Sequence, residues 1–571
     1  GEKMKLTGSQ IFFKTLKLEG VDTIFGYPGG TVMDIYDEMY RQEIRHFLVR
    51  HEQGGVHAAD GYSRTTGKVG VCLVTSGPGA TNAVTGIATA FLDSVPLVVF
   101  TGQVATRFIG NDSFQEVDIT GITRSCTKHN FLVRRVEDLP QTIREAFHIA
   151  RSGRPGPVLV DLPKDVIQSL EEEENLEFQP LIPQEKPARP YLEKRCREAL
   201  DLLAQARKPL FLCGGGVLRA KASTEFRKLA NRLNVPVTTS LMGIGSFPGT
   251  SPAWLGMVGM HGTYYANMAI SHCDLLFAVG VRFDDRVTSK VEAFAPHAKI
   301  IHVDIDPVSI DKVVHAQVAI ESDCKPVLEL LNELLDQGEY PENCHQYQEW
   351  RGEIALWKKK APLAYCRNEN IKPQHVIQQL EKITGGKAII TTDVGQHQMW
   401  TALFYNFDDP DTFLTSGGLG TMGYGLPAAI GAQAAHPESL VVNIAGDGSI
   451  QMNIQELATA VEYELPVKVI ILNNGYLGMV RQWQEMYYGK RYSQSGIGGG
   501  SPDFVKLADA YGALGLRATR PDEVEGVLRR GLTHPGVVVM DFQIEPLEGV
   551  YPIVKPGAPL TEMSLGQQRN V

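Results

Sequence analysis

Residues 446–474 constrain the chain more than any other stretch. A short apolar run, 440–445, ends at Gly446-Asp447-Gly448-Ser449. Ile450, Ile454, Leu457, Ala458 and Val461 then recur at helical spacing, and the β-branched run 467–472 ends at Asn473-Asn474. Strand, helix and strand in that order predict a βαβ unit, whose two parallel strands end at the same sheet edge. Gly446-Asp447-Gly448 and Asn473-Asn474 are therefore expected to meet there, although the chain separates them widely. The Asp447 carboxylate and the Asn474 amide oxygen are hard ligands suited to Mg2+ or Ca2+. Gly446 and Gly448 let backbone approach an anion, and the helix after Ser449 is expected to offer free N–H groups to phosphate. Metal and diphosphate would then bind as one unit. G-D-G alone is a strand-to-helix turn and N-N-G alone a hairpin. The pair at this separation, around a βαβ unit, points to a site.

The chain has 571 residues, enough for about three domains. Its net charge of −10 comes without long basic runs, which argues against nucleic acid or an anionic membrane as partner. No apolar run approaches the roughly 18 residues a membrane span needs. Eight cysteines without a C-x-x-C pair suggest neither a disulfide framework nor a zinc site, and a reduced cytoplasmic compartment is expected. No targeting peptide is read at the start, where Gly1-Glu2-Lys3 before Met4 reads as an added leader.

Short apolar runs at 23–26, 47–50, 70–75 and 96–101 alternate with helical segments, the signature of an α/β region. The polar, proline-bearing stretch 171–190 reads as a linker. A second α/β region carries expected strands at 209–213, 275–279 and 299–303. Residues 336–372, with E-W-R and K-K-K, read as a charged surface helix and a second linker. The third region holds the 446–474 unit, and a Pro/Gly-rich tail follows. The fold class expected is α/β with three parallel-sheet domains: 1–170, 190–345 and 370–545, then the tail 546–571. The first and third regions read as candidate structural relatives.

The G-D-G-S…N-N stretch resembles the thiamine-diphosphate motif of the decarboxylase and carboligase superfamily. With the segments below, nearly the whole chain resembles the catalytic large subunits of the acetohydroxyacid synthase (acetolactate synthase) family. The resemblance implies thiamine-diphosphate-binding folds for the first (pyrimidine) and third (diphosphate and Mg2+) domains, and a Rossmann-like middle domain that holds FAD. Asp447, Asn474 and the Tyr476 backbone carbonyl match the metal ligands, and Gly446, Gly448 and Ser449 the diphosphate loop.

Arg50-His51-Glu52-Gln53-Gly54-Gly55 follows a strand and opens a helix. On its own Glu52 is a first-turn carboxylate favoured by the helix dipole. By resemblance it is the glutamate that bonds N1′ of the aminopyrimidine, with Gly54 beside the cofactor, and it acts in a site whose diphosphate half belongs to another subunit. A dimer is then the smallest active unit. Residues 76–82, Phe114-Gln115-Glu116 and Thr127-Lys128-His129 resemble walls of that site, Gln115 being the candidate polar contact to the reacting centre. Lys164 matches a lysine near the substrate entrance.

Gly214-Gly215, Gly259-Met260-His261-Gly262, Gly280-Val281-Arg282-Phe283-Asp284-Asp285-Arg286, His302–Asp304 and Asp323 resemble flavin-binding segments. Glycines admit a diphosphate and an acidic strand end can bond a ribose hydroxyl; Arg282 can also offer its planar fork to a 2-oxoacid carboxylate. In the third region, Val394-Gly395-Gln396-His397 and the glycine-rich run to Met422 resemble the cofactor cradle. Met422 matches the residue that props the cofactor into its bent shape. Met479 and Trp483, four apart on a probable helix, share one face just beyond the metal motif.

The resemblance implies decarboxylation of pyruvate and condensation of the resulting hydroxyethyl unit with pyruvate or 2-oxobutanoate, early in branched-chain amino-acid (valine, leucine, isoleucine) biosynthesis. FAD would be structural. The alternatives are a flavin-dependent pyruvate oxidase and a non-catalytic cofactor-binding paralogue; Glu52 counts against glyoxylate carboligase, which replaces that glutamate by an apolar residue. Small 2-oxoacids, a second copy of the chain and a small regulatory subunit are the expected partners.

Overall fold

In the computed structural model, residues 4–178, 181, 187–342 and 345–566 are described. Residues 1–3 and parts of the first linker, the second linker and the tail lie outside them. Three six-stranded sheets, each wholly parallel, organise the chain. The first contains β1 (Thr23–Tyr27), β2 (Arg45–Leu48), β3 (Gly70–Val74), β4 (Leu97–Gln103), β5 (His129–Leu132) and β6 (Pro157–Pro163) in the order β2-β1-β3-β4-β6-β5. The second contains β7 (Pro209–Cys213), β8 (Val237–Thr239), β9 (Trp254–Met257), β10 (Leu275–Val279), β11 (Lys299–Asp304) and β12 (Val318–Glu321), ordered β9-β8-β7-β10-β11-β12. The third contains β13 (Ile389–Thr392), β14 (Phe413–Leu414), β15 (Val441–Gly446), β16 (Lys468–Asn473), β17 (Leu514–Ala518) and β18 (Val538–Gln543), ordered β14-β13-β15-β16-β18-β17.

The first and third sheets therefore share one topology, and the middle one has the doubly wound dinucleotide order. Every residue of β3, β4, β6, β7, β10 and β15 is buried, because helices cover both faces of a parallel sheet.

The expected strands are present, with one slip: β2 ends at Leu48, two residues before the apolar reading ended it. Residues 49–51 instead turn toward α1 (Glu52–Thr66). A second difference concerns α2 (Gln348–Lys360): it is no mere surface helix, since Trp350 and Ile354 are buried and the Trp350 indole N–H donates to the Pro209 carbonyl at 3.0 Å. The tail is not loose either. Val550, Ile553, Val554 and Leu560 are buried, and Val554 N–H donates to the Met260 carbonyl of the middle domain.

The first and third sheets are joined through helices. After α3 (Gln396–Phe404) comes α4 (Gly425–Ala435), which crosses α1 at backbone contact. A Cβ on Gly431 would lie 1.8 Å from the Ala58 carbonyl oxygen, and one on Gly61 would lie 2.2 Å from that of Ala428. Beside this crossing sits a buried ionic cluster. Arg64 contacts Asp60 at 2.6 Å and Asp93 at 3.0 Å and donates to the Thr415 carbonyl, while the Tyr424 hydroxyl donates to Asp60. Removing one member of such a cluster strands buried charge. Arg64→Leu is expected to cost about 3–5 kcal/mol, measured as a lower urea midpoint.

Candidate active site

The third sheet builds one side of the site. β15 lies between β13 and β16, with Gly446 paired to Leu472, so the loops after all three strands emerge side by side. The connection out of β13 leads to β14 on one side while β15 lies on the other. The crevice between Val394-Gly395 and Gly446-Asp447 is thus the topological switch point, where ligands of open α/β sheets bind. The meeting of the Asp447 motif with Asn473-Asn474 is as the sequence predicts.

Asp447 is fully buried, and burial pushes its carboxyl up to about 6. Its Oδ2 accepts the Gly475 N–H at 3.1 Å, whereas its Oδ1 is buried with no hydrogen-bond partner among the described residues. An orphaned carboxylate oxygen of this kind is what a cation would satisfy. Asn474 Oδ1 accepts the Tyr476 N–H and its Nδ2 donates to Gln396 Oε1, which fixes the side chain beside Asp447. Ser449 Oγ accepts the Gly446 N–H and lies 3.4 Å from His397 Nε2. Burial holds the His397 imidazole neutral, down to about 3. The donor set fits a hard divalent cation with an anion beside it.

One expectation fails here. No α-helix opens at Ser449: a 3-10 turn, Ile450–Met452, intervenes, and α5 (Glu456–Glu462) starts later. Gln451 Nε2 bonds the Asp447 carbonyl and Asn453 Nδ2 bonds the Gly423 carbonyl, local bonds that compete with helix formation. The helix whose first turn borders the crevice is α3, which starts at Gln396 directly after Gly395.

A cavity of about 1420 Å³ runs from this crevice to the middle domain. Val394, Gly395, Met422, Met479 and Trp483 line its third-domain end, the last two carried by α6 (Gly478–Tyr487). Gly215, His261, Gly280, Arg282, Asp284, Arg286, Asp304 and Asp323 line the rest. The middle-domain segments and Val394, Gly395, Met422, Met479 and Trp483 therefore share one space, larger than a typical single-ligand pocket of about 300–1,000 Å³, whereas Gln396, His397, Gly446, Asp447, Gly448, Ser449 and Asn474 do not line it. Gly214 does not line it; it packs so close to Gly280 that a Cβ would meet that carbonyl oxygen at 2.1 Å. Asp304 ends β11 with Oδ1 accepting the Asp306 N–H. Asp284 caps its own short helix and lies 3.7 Å from the Arg282 guanidinium. The His261 ring is buried 3.4 Å from the Pro552 carbonyl of the tail. An acidic strand end, glycine approaches and arginines along an elongated cavity fit a dinucleotide.

Glu52, Gln115 and Lys164 do not line this cavity. They lie elsewhere, on connections at the carboxyl edge of the first sheet. Glu52 opens α1 with Oε2 accepting Asn82 Nδ2 at 3.0 Å. Gln115 backs onto Gly77 at a left-handed φ of 60°, in a loop whose Phe114 is exposed. Lys164 starts the short helix after β6. Gly54 lies inside α1, against Glu456 rather than the cavity. Within one chain Glu52, Gln115 and Lys164 thus stand apart from Arg282 and Trp483, which line the cavity.

Sequence reasoning missed the cavity wall given by the first domain: Asp93, Ser94, Arg151 and Arg154. Arg154 donates to Ser94 Oγ and lies 3.6 Å from Asp306, and burial together with nearby Arg282 lowers its pKa. The R-S-G-R-P run of 151–155 was the signal available, but nothing local links it to the middle domain.

Three family profiles match in series: the N-terminal thiamine-pyrophosphate-binding domain over residues 6–122, the central domain of thiamine pyrophosphate enzymes over 196–331, and their C-terminal binding domain over 393–542. The chain is 48 % identical over 570 residues to the acetolactate synthase large subunit of Buchnera aphidicola subsp. Schizaphis graminum, covering 98 % of each chain. It is 49 % identical to the isozyme 3 large subunit of Escherichia coli K12 (98 % of this chain, 99 % of the relative) and 45 % identical to the isozyme 2 large subunit of the same strain, with the same coverage. This full-length likeness and the three matching profiles place the chain in the acetolactate synthase large-subunit family of thiamine pyrophosphate enzymes.

Proposed function

We propose that this chain decarboxylates pyruvate and joins the remaining two-carbon unit to a second 2-oxoacid, pyruvate or 2-oxobutanoate, giving 2-acetolactate or 2-aceto-2-hydroxybutyrate. The observation that carries this is the orphaned, buried Asp447 oxygen at the switch point of a chain of this family. Thiamine diphosphate, when bound, supplies the nucleophilic carbon and the electron sink that 2-oxoacid decarboxylation needs. Asp447, Asn474 and the Tyr476 carbonyl would hold Mg2+ and, through it, the diphosphate, with Gly446, Gly448 and Ser449 around it. Val394, Gly395, Gln396 and His397 would border the cofactor. Met422, at the third-domain end of the cavity, would prop the cofactor. Glu52 would take and return the proton at its carboxylate, held by Asn82. Gln115 and Lys164 of the same half-site would orient the 2-oxoacid, and Arg282 would meet its carboxylate. FAD would be held by Gly215, His261, Gly280, Asp284, Arg286, Asp304 and Asp323.

Glu52, Gln115 and Lys164 lie away from the cavity, so a second copy of the chain would complete each site, and a dimer would be the minimum. A small regulatory subunit is the further partner that the relatives' designation as large subunits supports. Among the described residues no helix is long and apolar enough to cross a membrane, and the free cysteines fit a reducing cytoplasm.

Product analysis tests the reading. Pyruvate alone should give 2-acetolactate, and added 2-oxobutanoate should shift the products to the C6 acid; acetate as sole product would overturn it. Trp483 decides the acceptor. The two acceptors differ by one methylene, worth about 1–3 kcal/mol or roughly 10–200-fold in an apolar pocket. The half-buried Trp483 indole packs edge-on to Tyr487 at 5.7 Å and offers its other side to the cavity. Trp483→Leu should keep acetolactate formation and lose most of the preference for 2-oxobutanoate, read as the product ratio under competition.

A further inference from the structure

The segment that delivers Glu52 is gripped by a helix from the other end of the chain. Glu456, first residue of α5, accepts the backbone N–H groups of both Arg50 and His51 on its Oε1, at 3.0 Å each. Its Oε2 accepts the Thr459 hydroxyl at 2.7 Å. The Tyr463 hydroxyl accepts the Leu48 N–H at 2.9 Å, and the Arg50 guanidinium donates to Glu462 at 2.6 Å. Three of the four residues before α1, Leu48, Arg50 and His51, are thereby fastened to one short helix and the Tyr463 that ends it. Gly54 leaves the room this needs, since a Cβ there would lie 2.6 Å from Glu456 Oε1.

Capping does not explain the arrangement. His51 already caps α1, its Nδ1 accepting the Gln53 N–H at 3.1 Å. Nor does stability favour it. Glu456 is fully buried, and burial pushes its carboxyl up to about 7, so the ionised form is held at a cost that an apolar residue would avoid. What the two bonds do fix is the direction in which the chain enters α1, and hence where the next side chain, Glu52, points.

We propose that Glu456 is a positioning residue for Glu52: its carboxylate clamps the 50–51 peptide groups so that the Glu52 carboxylate is presented in one orientation to the site it serves. This rests on the reading of Glu52 as the proton-handling carboxylate. A misplacement of about 1 Å by a remote change can cost about 10²-fold, and that is the scale expected. Glu456→Asp keeps the charge but withdraws the oxygens from the two N–H groups; Glu456→Ala removes them; Glu456→Gln retains an acceptor oxygen for both.

The test uses the full enzyme with thiamine diphosphate and Mg2+. Measured quantities are kcat, pyruvate KM and deuterium exchange at C2 of the bound cofactor, with backbone amide exchange of Arg50 and His51 on the unloaded chain. Glu456→Asp and Glu456→Ala should each lower kcat and C2 exchange about 10²-fold at unchanged KM and cofactor affinity, and speed amide exchange at 50–51. Glu456→Gln should restore most of both. Should the alanine variant not fold, the aspartate variant carries the comparison. Wild-type C2 exchange in Glu456→Asp, while Glu52→Gln is slow, overturns this proposal and leaves the Glu52 reading standing. Wild-type exchange in Glu52→Gln overturns that reading and the proposal with it. A glutamine variant as slow as the aspartate variant also overturns the clamp.

Discussion

Replacing Asp447 with asparagine is expected to abolish pyruvate turnover and to remove the stabilisation that Mg2+ and thiamine diphosphate confer. Asparagine keeps an oxygen for the Gly475 N–H bond, so the loop after β16 survives, and only the charge offered by the orphaned Oδ1 is lost. Without ligand the variant should be no less stable than the parent, since a buried carboxylate without a counter-charge is itself costly. With ligand at a hundred times its Kd, the parent gains about 2.7 kcal/mol by mass action, and the variant gains none. Thermal unfolding with and without Mg2+ and cofactor measures both. An unchanged ligand-induced shift in Asp447→Asn would remove Asp447 from the metal site.

Glu52→Gln is expected to leave the fold and cofactor affinity intact and to lower kcat by about 10²–10⁴-fold, the contribution typical of positioned proton transfer. The glutamine oxygen can still accept from Asn82, so the side chain stays in place while losing its charge. The separation of half-sites adds a sharper outcome. Glu52→Gln and Asp447→Asn chains, each nearly inactive, should complement when dissociated and reassociated together. A mixed two-fold dimer has one site built from two intact halves, and random pairing returns roughly a quarter of the parent activity. No recovery on mixing would place Glu52 and Asp447 in the same chain's site and undo the shared-site reading.

The metal motif was legible because the βαβ rule is topological: once two runs are parallel neighbours, their carboxyl ends must meet, whatever the side chains do. The middle-domain glycines and acidic strand end were read through their resemblance to flavin-binding segments rather than from topology. The 3-10 turn at Ile450–Met452 was not, because apolar spacing suited a helix while Gln451 and Asn453 drew the backbone into local bonds. The end of β2 slipped because Val49 is buried and β-branched, which reads as strand, whereas Glu456 takes the Arg50 and His51 N–H groups. The Arg64 cluster and the 151–155 wall join residues remote in sequence, and no local pattern announces which acid a buried arginine will meet. That Glu52, Gln115 and Lys164 share an edge apart from the cavity is likewise a tertiary fact.

The backbone contact between α1 and α4 bears on how the protein moves. Two helices separated by side chains can slide or shear; two that touch through Gly61, Ala58, Ala428 and Gly431 cannot shift without driving carbonyl into carbon. The first and third sheets should therefore travel as one rigid block, with no hinge between them. The loop around 108–117, where Phe108 and Phe114 are exposed and Asp112 and Gln115 hold left-handed φ, lies outside this block and is freer to move. Its motion belongs to the nanosecond-to-microsecond range of surface loops rather than to the slower closure of domains.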